Sequence, residues 1–347
     1  MTARTIFRLF ISALASTAIV TTTPGCYLTH LAKGQLHVVC SSISLEEALQ
    51  SSCLTEVDKD KLRYVQEVRA FAETELGLSK SKNYTKYYPG KKEPISWSVA
   101  AAPKDSLKPV TWWFPIVGSI SYKGYFNLKD AEEERDSLIA DGYDACVRPA
   151  LAYSTTGWFT DPILPEMLDL NEGALAFLII HELAHGTLYA ADQTTYNESL
   201  AEFVGREGAR QFLEGKFGPA SAQVKRYLDR LEDERLYDRF MNASARRLEM
   251  LYARHPADLE GARQEFFAQM RNEFDGLRSQ FRTYGYQHAA LGELNNAIMA
   301  GYLFYATTTP FEEAFEAAGR DWAVFWERVK DAAKSDNPFG KLRSLGS

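Results

Sequence analysis

Two histidines four residues apart, with a glutamate beside the first, stand in His181-Glu182-Leu183-Ala184-His185. A second acidic segment, Asn197-Glu198-Ser199-Leu200-Ala201-Glu202, follows closely. On a helix, residues four apart share a face, so His181 and His185 can turn both imidazoles to one ion while Glu182 projects alongside. Left without partners, two rings and a carboxylate in an apolar helix cost on the order of several kcal/mol. A metal ion satisfies both rings at once. The bland reading, a core helix that happens to carry two histidines, leaves that cost unanswered.

The third ligand sets the subclass. The residues after His185 read Gly186-Thr187-Leu188-Tyr189-Ala190-Ala191, so the downstream His of a metzincin is missing. Glu198, thirteen residues after His185, is the remaining natural candidate. The helical pattern of 196–206 would bring it to the ion, giving two His, one Glu and an open position for water: one zinc per chain. Glu202, a turn further on, stands where it can accept the free N–H of His181 or His185 and fix its tautomer. The competing reading of Glu202 is an exposed helix carboxylate. The chemistry expected is hydrolysis: zinc lowers the pKa of water toward ~7, Glu182 takes the proton during attack on a carbonyl, and the same Glu hands it to the departing amine. A tetrahedral oxyanion needs one further donor. The chain has 18 Tyr, and their spacing does not choose among them.

These residues need elements to hold them. The apolar run 174–180 predicts a central buried helix for the HExxH segment, and Asn171-Glu172 in front supplies its cap. Helical spacing of Leu62, Val65, Val68, Phe71 and Leu76 predicts one or two helices over 45–78, ended by Gly77. Residues 84–165 change in texture, with β-like runs at 95–101, 110–120, 122–126 and 143–153 around a charged helix over 128–140. These are expected to form one mixed sheet. Beyond Pro165 the pattern is almost wholly helical. Apolar positions from Val224 through Leu228 and Leu231 to Leu251, and from Leu259 to Phe281, predict a helical hairpin turning at Pro256. The mixed charges of 225–239 read as a solvated helix face. The fold class expected is α+β, divided into 26–83, 84–165, 166–215 for the zinc-binding helices and 216–347.

Arg4 and Arg8 lead into the apolar stretch 9–20, which ends at Gly25-Cys26. That reads as a secretory leader of residues 1–25. Gly-Cys at its end is the pattern of a bacterial lipoprotein signal, with Cys26 lipidated. Thr23-Pro24 departs from that signal, so ordinary cleavage and an uncleaved anchor stay open. The expected location is the cell envelope, on the periplasmic side of a bacterial membrane. A net charge of -7, with no basic run, excludes a nucleic-acid partner. The four cysteines form no C-x-x-C pair, and a Cys40–Cys53 bridge stays open.

The pairing of HELAH with NESLAE resembles the gluzincin clan. More narrowly, the chain resembles the bacterial putative aminopeptidase family of lipoprotein-like zinc peptidases. That resemblance is carried by Gly25-Cys26, Lys33-Gly34-Gln35-Leu36, Ala101-Ala102-Pro103, Gly124-Tyr125-Phe126, Tyr153 through Phe159, His181 through Tyr189, Asn197 through Gly208 and Leu294-Asn295-Asn296-Ala297. It implies a zincin-like fold, with His181, His185 and Glu198 as ligands, Glu182 as base and a peptide as substrate. It further implies that the strand holding Tyr153, Gly157 and Trp158 pairs with substrate backbone, and that Tyr305 binds the oxyanion. Plain core packing is the alternative for each. Exopeptidase action is inherited from the resemblance. An endopeptidase, a cell-wall amide hydrolase and a non-catalytic zinc-binding envelope lipoprotein are the other readings, and oligomeric state stays open.

Overall fold

The structure is a computed structural model that describes residues 23–114, 118–149, 160–304 and 308–346. The expected leader falls almost wholly outside the described residues, as do Tyr153, Gly157, Trp158 and Tyr305. Among the described residues, no helix is long and apolar enough to cross a membrane.

The first elements are α1 (Thr23–Ser41), β1 (Ile43–Ser44), α2 (Leu45–Gln50) and α3 (Glu56–Thr74). Thr55 and Asp58 form a capping box at the start of α3, each bonding the other's backbone N–H. After Gly77, at a left-handed φ of 67° that suits glycine, come β2 (Lys86–Tyr87), β3 (Trp97–Pro103), β4 (Trp112–Phe114), β5 (Gly118–Ile120), β6 (Lys123–Tyr125), α4 (Leu128–Ala140) and β7 (Tyr143–Pro149).

These strands do not make the single mixed sheet expected. They form three small sheets, β1-β2, β6-β3-β7 and β4-β5, every pair antiparallel. Within the run 110–120, residues 112–114 pair antiparallel with residues 118–120, so β4 and β5 satisfy each other rather than joining the sheet of β3. The class is nonetheless α+β.

The remainder is helical: α5 (Glu172–Thr187), α6 (Thr194–Phe217), α7 (Ala222–Tyr252), α8 (Leu259–Leu277), α9 (Tyr284–His288), α10 (Asn296–Phe304), α11 (Thr309–Ala317), α12 (Trp322–Ala332) and α13 (Pro338–Gly346). The turn between α7 and α8 contains Pro256, as its position predicts. Leu228 departs from the predicted face and is 38% exposed. The charged stretch 225–239 is also not simply a solvated face. Asp233 is buried and accepts hydrogen bonds from the backbone N–H of Arg282 and Thr283 and from the Thr283 hydroxyl.

The main core surrounds α5, with Leu175, Ile179, Ile180 and Leu183 buried against Leu62, Val65 and Val68 of α3 and Leu200 and Val204 of α6. Each such side chain contributes roughly 1.5–3 kcal/mol through burial. Phe311, Phe315, Trp322 and Phe325 pack around Phe203, so the last helices cover α6 from outside. Cys40 and Cys53 are both free thiols.

Candidate metal centre

Helix α5 starts where its cap predicts, with the Asn171 side chain accepting from the Ala174 N–H at 3.0 Å. Tyr64 of α3 donates to the Glu172 carbonyl and fixes the same end. The other end turns through 188–193 into α6. Asn197 holds that turn, accepting from the Ala190 N–H at 2.8 Å and donating to the Ala190 carbonyl at 2.7 Å. This buried two-point grip sets where α6 begins, and so which way Glu198 faces. Gly205 does the same for spacing. A Cβ there would lie 3.0 Å from the Phe177 ring and 3.2 Å from His181 Cβ, so glycine lets α6 lie this close behind His181 without a neighbour giving way.

The result is a convergence of three donor atoms. His181 Nε2 and His185 Nε2 are 3.2 Å apart, and Glu198 Oε2 lies 3.8 Å and 3.7 Å from them. Separations of this size leave a point roughly 2 Å from all three atoms, the bond length zinc takes to imidazole nitrogen and carboxylate oxygen. His181, His185 and Glu198 are also the cluster among the described residues whose ligand atoms could hold a metal ion. Two nitrogens and one carboxylate oxygen suit a divalent first-row ion.

Electrostatics favour a cation here. Burial holds His181 well below the ordinary imidazole range, with the charges of His185 and Arg206 adding to the effect. Burial also lowers His185, against an opposing pull from Glu182. Glu198 is pushed up to about 7 by burial, and so is Glu202, although Arg206 draws Glu202 back down. Without a cation the pocket therefore favours neutral rings and protonated acids. A divalent ion reverses that preference for Glu198.

Glu202 lies behind the centre, with Oε2 3.8 Å from His181 Nδ1. That nitrogen is buried and makes no hydrogen bond among the described residues. Two tyrosines that sequence spacing could not single out feel the same charges. Tyr122 lies between β5 and β6 and leaves 45% of its surface in solvent. Even so, crowding around its phenol, together with the charges of Glu198 and Glu182, pushes its pKa up. The preceding strand β5 is tied to the 188–193 turn by the Ser119 N–H, which donates to Asp192 Oδ1 at 3.4 Å. Tyr84 is fully buried at a left-handed φ of 58°, an unusual conformation for an aromatic residue. Burial and the charge of Glu182 raise its phenol well above the usual range. Neither residue carries a local pattern that separates it from the other tyrosines.

The sequence model of a family described as "Putative aminopeptidase" matches residues 26–340. The chain belongs to that family. No curated protein and no solved structure matches it. The span shared with the putative aminopeptidase family includes α5, α6, Tyr122 and the long helix α7. It also includes Leu294–Ala297, which proves to be a joint rather than part of the centre: Asn296 donates to the Pro103 and Ser106 carbonyls and accepts from the Tyr252 hydroxyl.

Proposed function

We propose that this chain is a zinc-dependent peptidase of the gluzincin kind, acting as an aminopeptidase in the cell envelope and held to a membrane through Cys26. The observation that carries the chemistry is the convergence of His181 Nε2, His185 Nε2 and Glu198 Oε2. Membership of the putative aminopeptidase family supports peptide as the substrate class, and the matched span opens at Cys26.

His181, His185 and Glu198 would hold the ion, a set of two His and one Glu that suits a catalytic rather than a closed structural zinc site. Zinc, when bound, supplies the Lewis acidity that polarises a carbonyl and acidifies water. Glu182 lies beside His181 on α5 and is not one of the three converging ligands, and its carboxylate is the base in this reading. It takes the proton of the attacking water and delivers it to the leaving amine. Tyr122, whose phenol feels the charges of Glu198 and Glu182, would offer its O–H to a developing oxyanion. Tyr305 and the strand of Tyr153, Gly157 and Trp158 keep their proposed roles as oxyanion donor and substrate edge.

The test uses purified protein with free and N-blocked peptides, with and without chelator. Chelator-sensitive release of the first residue from free peptides alone is expected. Cleavage of blocked peptides would make it an endopeptidase, and hydrolysis of wall fragments alone would point to a cell-wall amide. Bound zinc with no cleavage of any substrate would make it a scaffold. Glu182→Gln should lower kcat by about 10³-fold, within the range for a lost general base, while keeping one zinc per chain. Full activity in that variant would remove Glu182 from the mechanism.

A further inference from the structure

Arg206 stands one helical turn beyond Glu202 on α6, and its guanidinium faces acids from two helices. Its Nε lies 2.7 Å from Glu202 Oε1, an ion pair whose angle falls short of a hydrogen bond. Its Nη2 lies 3.3 Å from Asp238 Oδ2 and 3.7 Å from Glu234 Oε2, both on α7. The Arg206 side chain is only 19% exposed, and Glu202 and Glu234 are 12% and 15% exposed. Glu234 is further held by Arg230 at 2.7 Å, and the Tyr227 hydroxyl of α7 donates to the Arg206 carbonyl at 3.0 Å. A guanidinium is always charged and spreads its donors in a rigid plane, so one side chain can span two helices in this way where an ammonium cannot.

The other oxygen of Glu202 points toward the centre. It lies 3.8 Å from His181 Nδ1, and the opposite nitrogen of the same ring is one of the three converging donors. An imidazole that ligates a metal is held in its tautomer and orientation by what its second nitrogen meets. The nearest acidic group to that nitrogen, 3.8 Å away and so an ion-pair neighbour rather than a hydrogen bond, is the Glu202 carboxylate, whose far side is paired with Arg206.

We infer that Arg206 is a positioning residue for the metal centre: held from outside by Asp238 and Glu234, it fixes Glu202 against His181 and makes metal affinity depend on the docking of α7. The inference rests on the metal-binding reading above. It concerns affinity and not turnover, so the two can fail separately.

The experiment measures Zn²⁺ affinity of the whole purified chain by competition with a chromophoric chelator, alongside urea unfolding of the same samples. Arg206→Met is expected to weaken zinc binding by about tenfold to a hundredfold, the range for loss of such an outer partner. Arg206→Lys, which keeps the charge but not the planar reach, should fall between it and wild type. Glu202→Gln combined with Arg206→Met should lose no more affinity than Glu202→Gln alone, because Arg206 acts through Glu202. Zinc affinity of Arg206→Met within twofold of wild type, or additive losses in the double variant, would overturn the inference. Should Arg206→Met fail to fold, the pair Glu234→Gln and Asp238→Asn with Arg206 intact carries the test: a loss of roughly threefold to tenfold supports it, and unchanged affinity overturns it. A wild-type chain that binds zinc but cleaves nothing would sink the peptidase reading and leave this one standing. A wild-type chain that binds no zinc would sink both.

Discussion

Glu198 is the ligand whose protonation governs the centre. Burial pushes it up to about 7, while His181 and His185 are already neutral over the same range because burial lowers them. A cation entering below that pH must displace the Glu198 proton, and it displaces none from the rings. Below about 7, metal affinity should therefore rise by up to about tenfold per pH unit as the Glu198 proton is displaced. Titrations at pH 5.5 in buffers of different ionisation enthalpy should show about one proton released per zinc. No release at pH 5.5 would mean that Glu198 is already ionised before the metal arrives. Tyr122 makes a second prediction at this scale. Tyr122→Phe should lower kcat by about 10²-fold with zinc affinity unchanged, as expected for a lost oxyanion donor. An unchanged kcat would remove Tyr122 from that role and leave it to Tyr305 alone.

The two helices that carry the site were legible in the sequence to different degrees. The apolar run before His181, the cap at Asn171 and the four-residue spacing of the histidines are local patterns, and α5 follows from them directly. How α6 sits on α5 is not local. Asn197 reads as one more polar residue until Ala190 is seen against it, and Gly205 reads as a weak helix former until His181 lies behind it. The mixed charges of 225–239 misled for the same reason, since acids on a helix carry the same pattern whether they face water or the Arg206 guanidinium. The division into three sheets was hidden because short runs announce strands but not their partners. Gly205 makes the packing argument testable. In Gly205→Ala the new Cβ meets His181 Cβ, which cannot swing aside because it is fixed to backbone, so α5 and α6 must part by a few tenths of an ångström. Overpacking of this kind costs about 1–3 kcal/mol, and zinc affinity should fall with it. Gly208→Ala meets chiefly the Leu76 side-chain end and Ile180, and should lower the unfolding midpoint while sparing affinity. Equal zinc affinities in the two variants would show that the spacing behind His181 does not matter.

Across the whole molecule, α7 joins what the chain order separates. With 31 residues it spans about 45 Å at 1.5 Å per residue. Its middle holds Arg206 through Glu234 and Asp238, and its end places Tyr252 against Asn296. There the Asn296 N–H donates to Asp144 of β7, Asp144 pairs with the buried Arg263 of α8, and the Asn296 amide donates to the carbonyls of Pro103 and Ser106. Asn295 adds a bond to the Ala145 carbonyl. The sheet β6-β3-β7 is thus bonded to the helical region at a polar joint buried between them, with Asn296 at its centre and the Arg263–Asp144 pair and the Asn295 bond beside it. Asn296→Ala would remove the Ser106 carbonyl's side-chain donor, one of the donors to the Pro103 carbonyl and the amide acceptor of the Tyr252 hydroxyl, in a place water reaches poorly, at a cost of about 3 kcal/mol. The expected result is a lower urea midpoint with an unchanged denaturant slope, which would indicate that sheet and helices still unfold together. Zinc affinity in the folded variant should stay within twofold of wild type, because Asp238 and Glu234 meet Arg206 several turns away from the joint. A shallower slope with two resolved transitions would show instead that the joint is what couples the sheet to the helices, and that the metal-binding helices can stay folded without it.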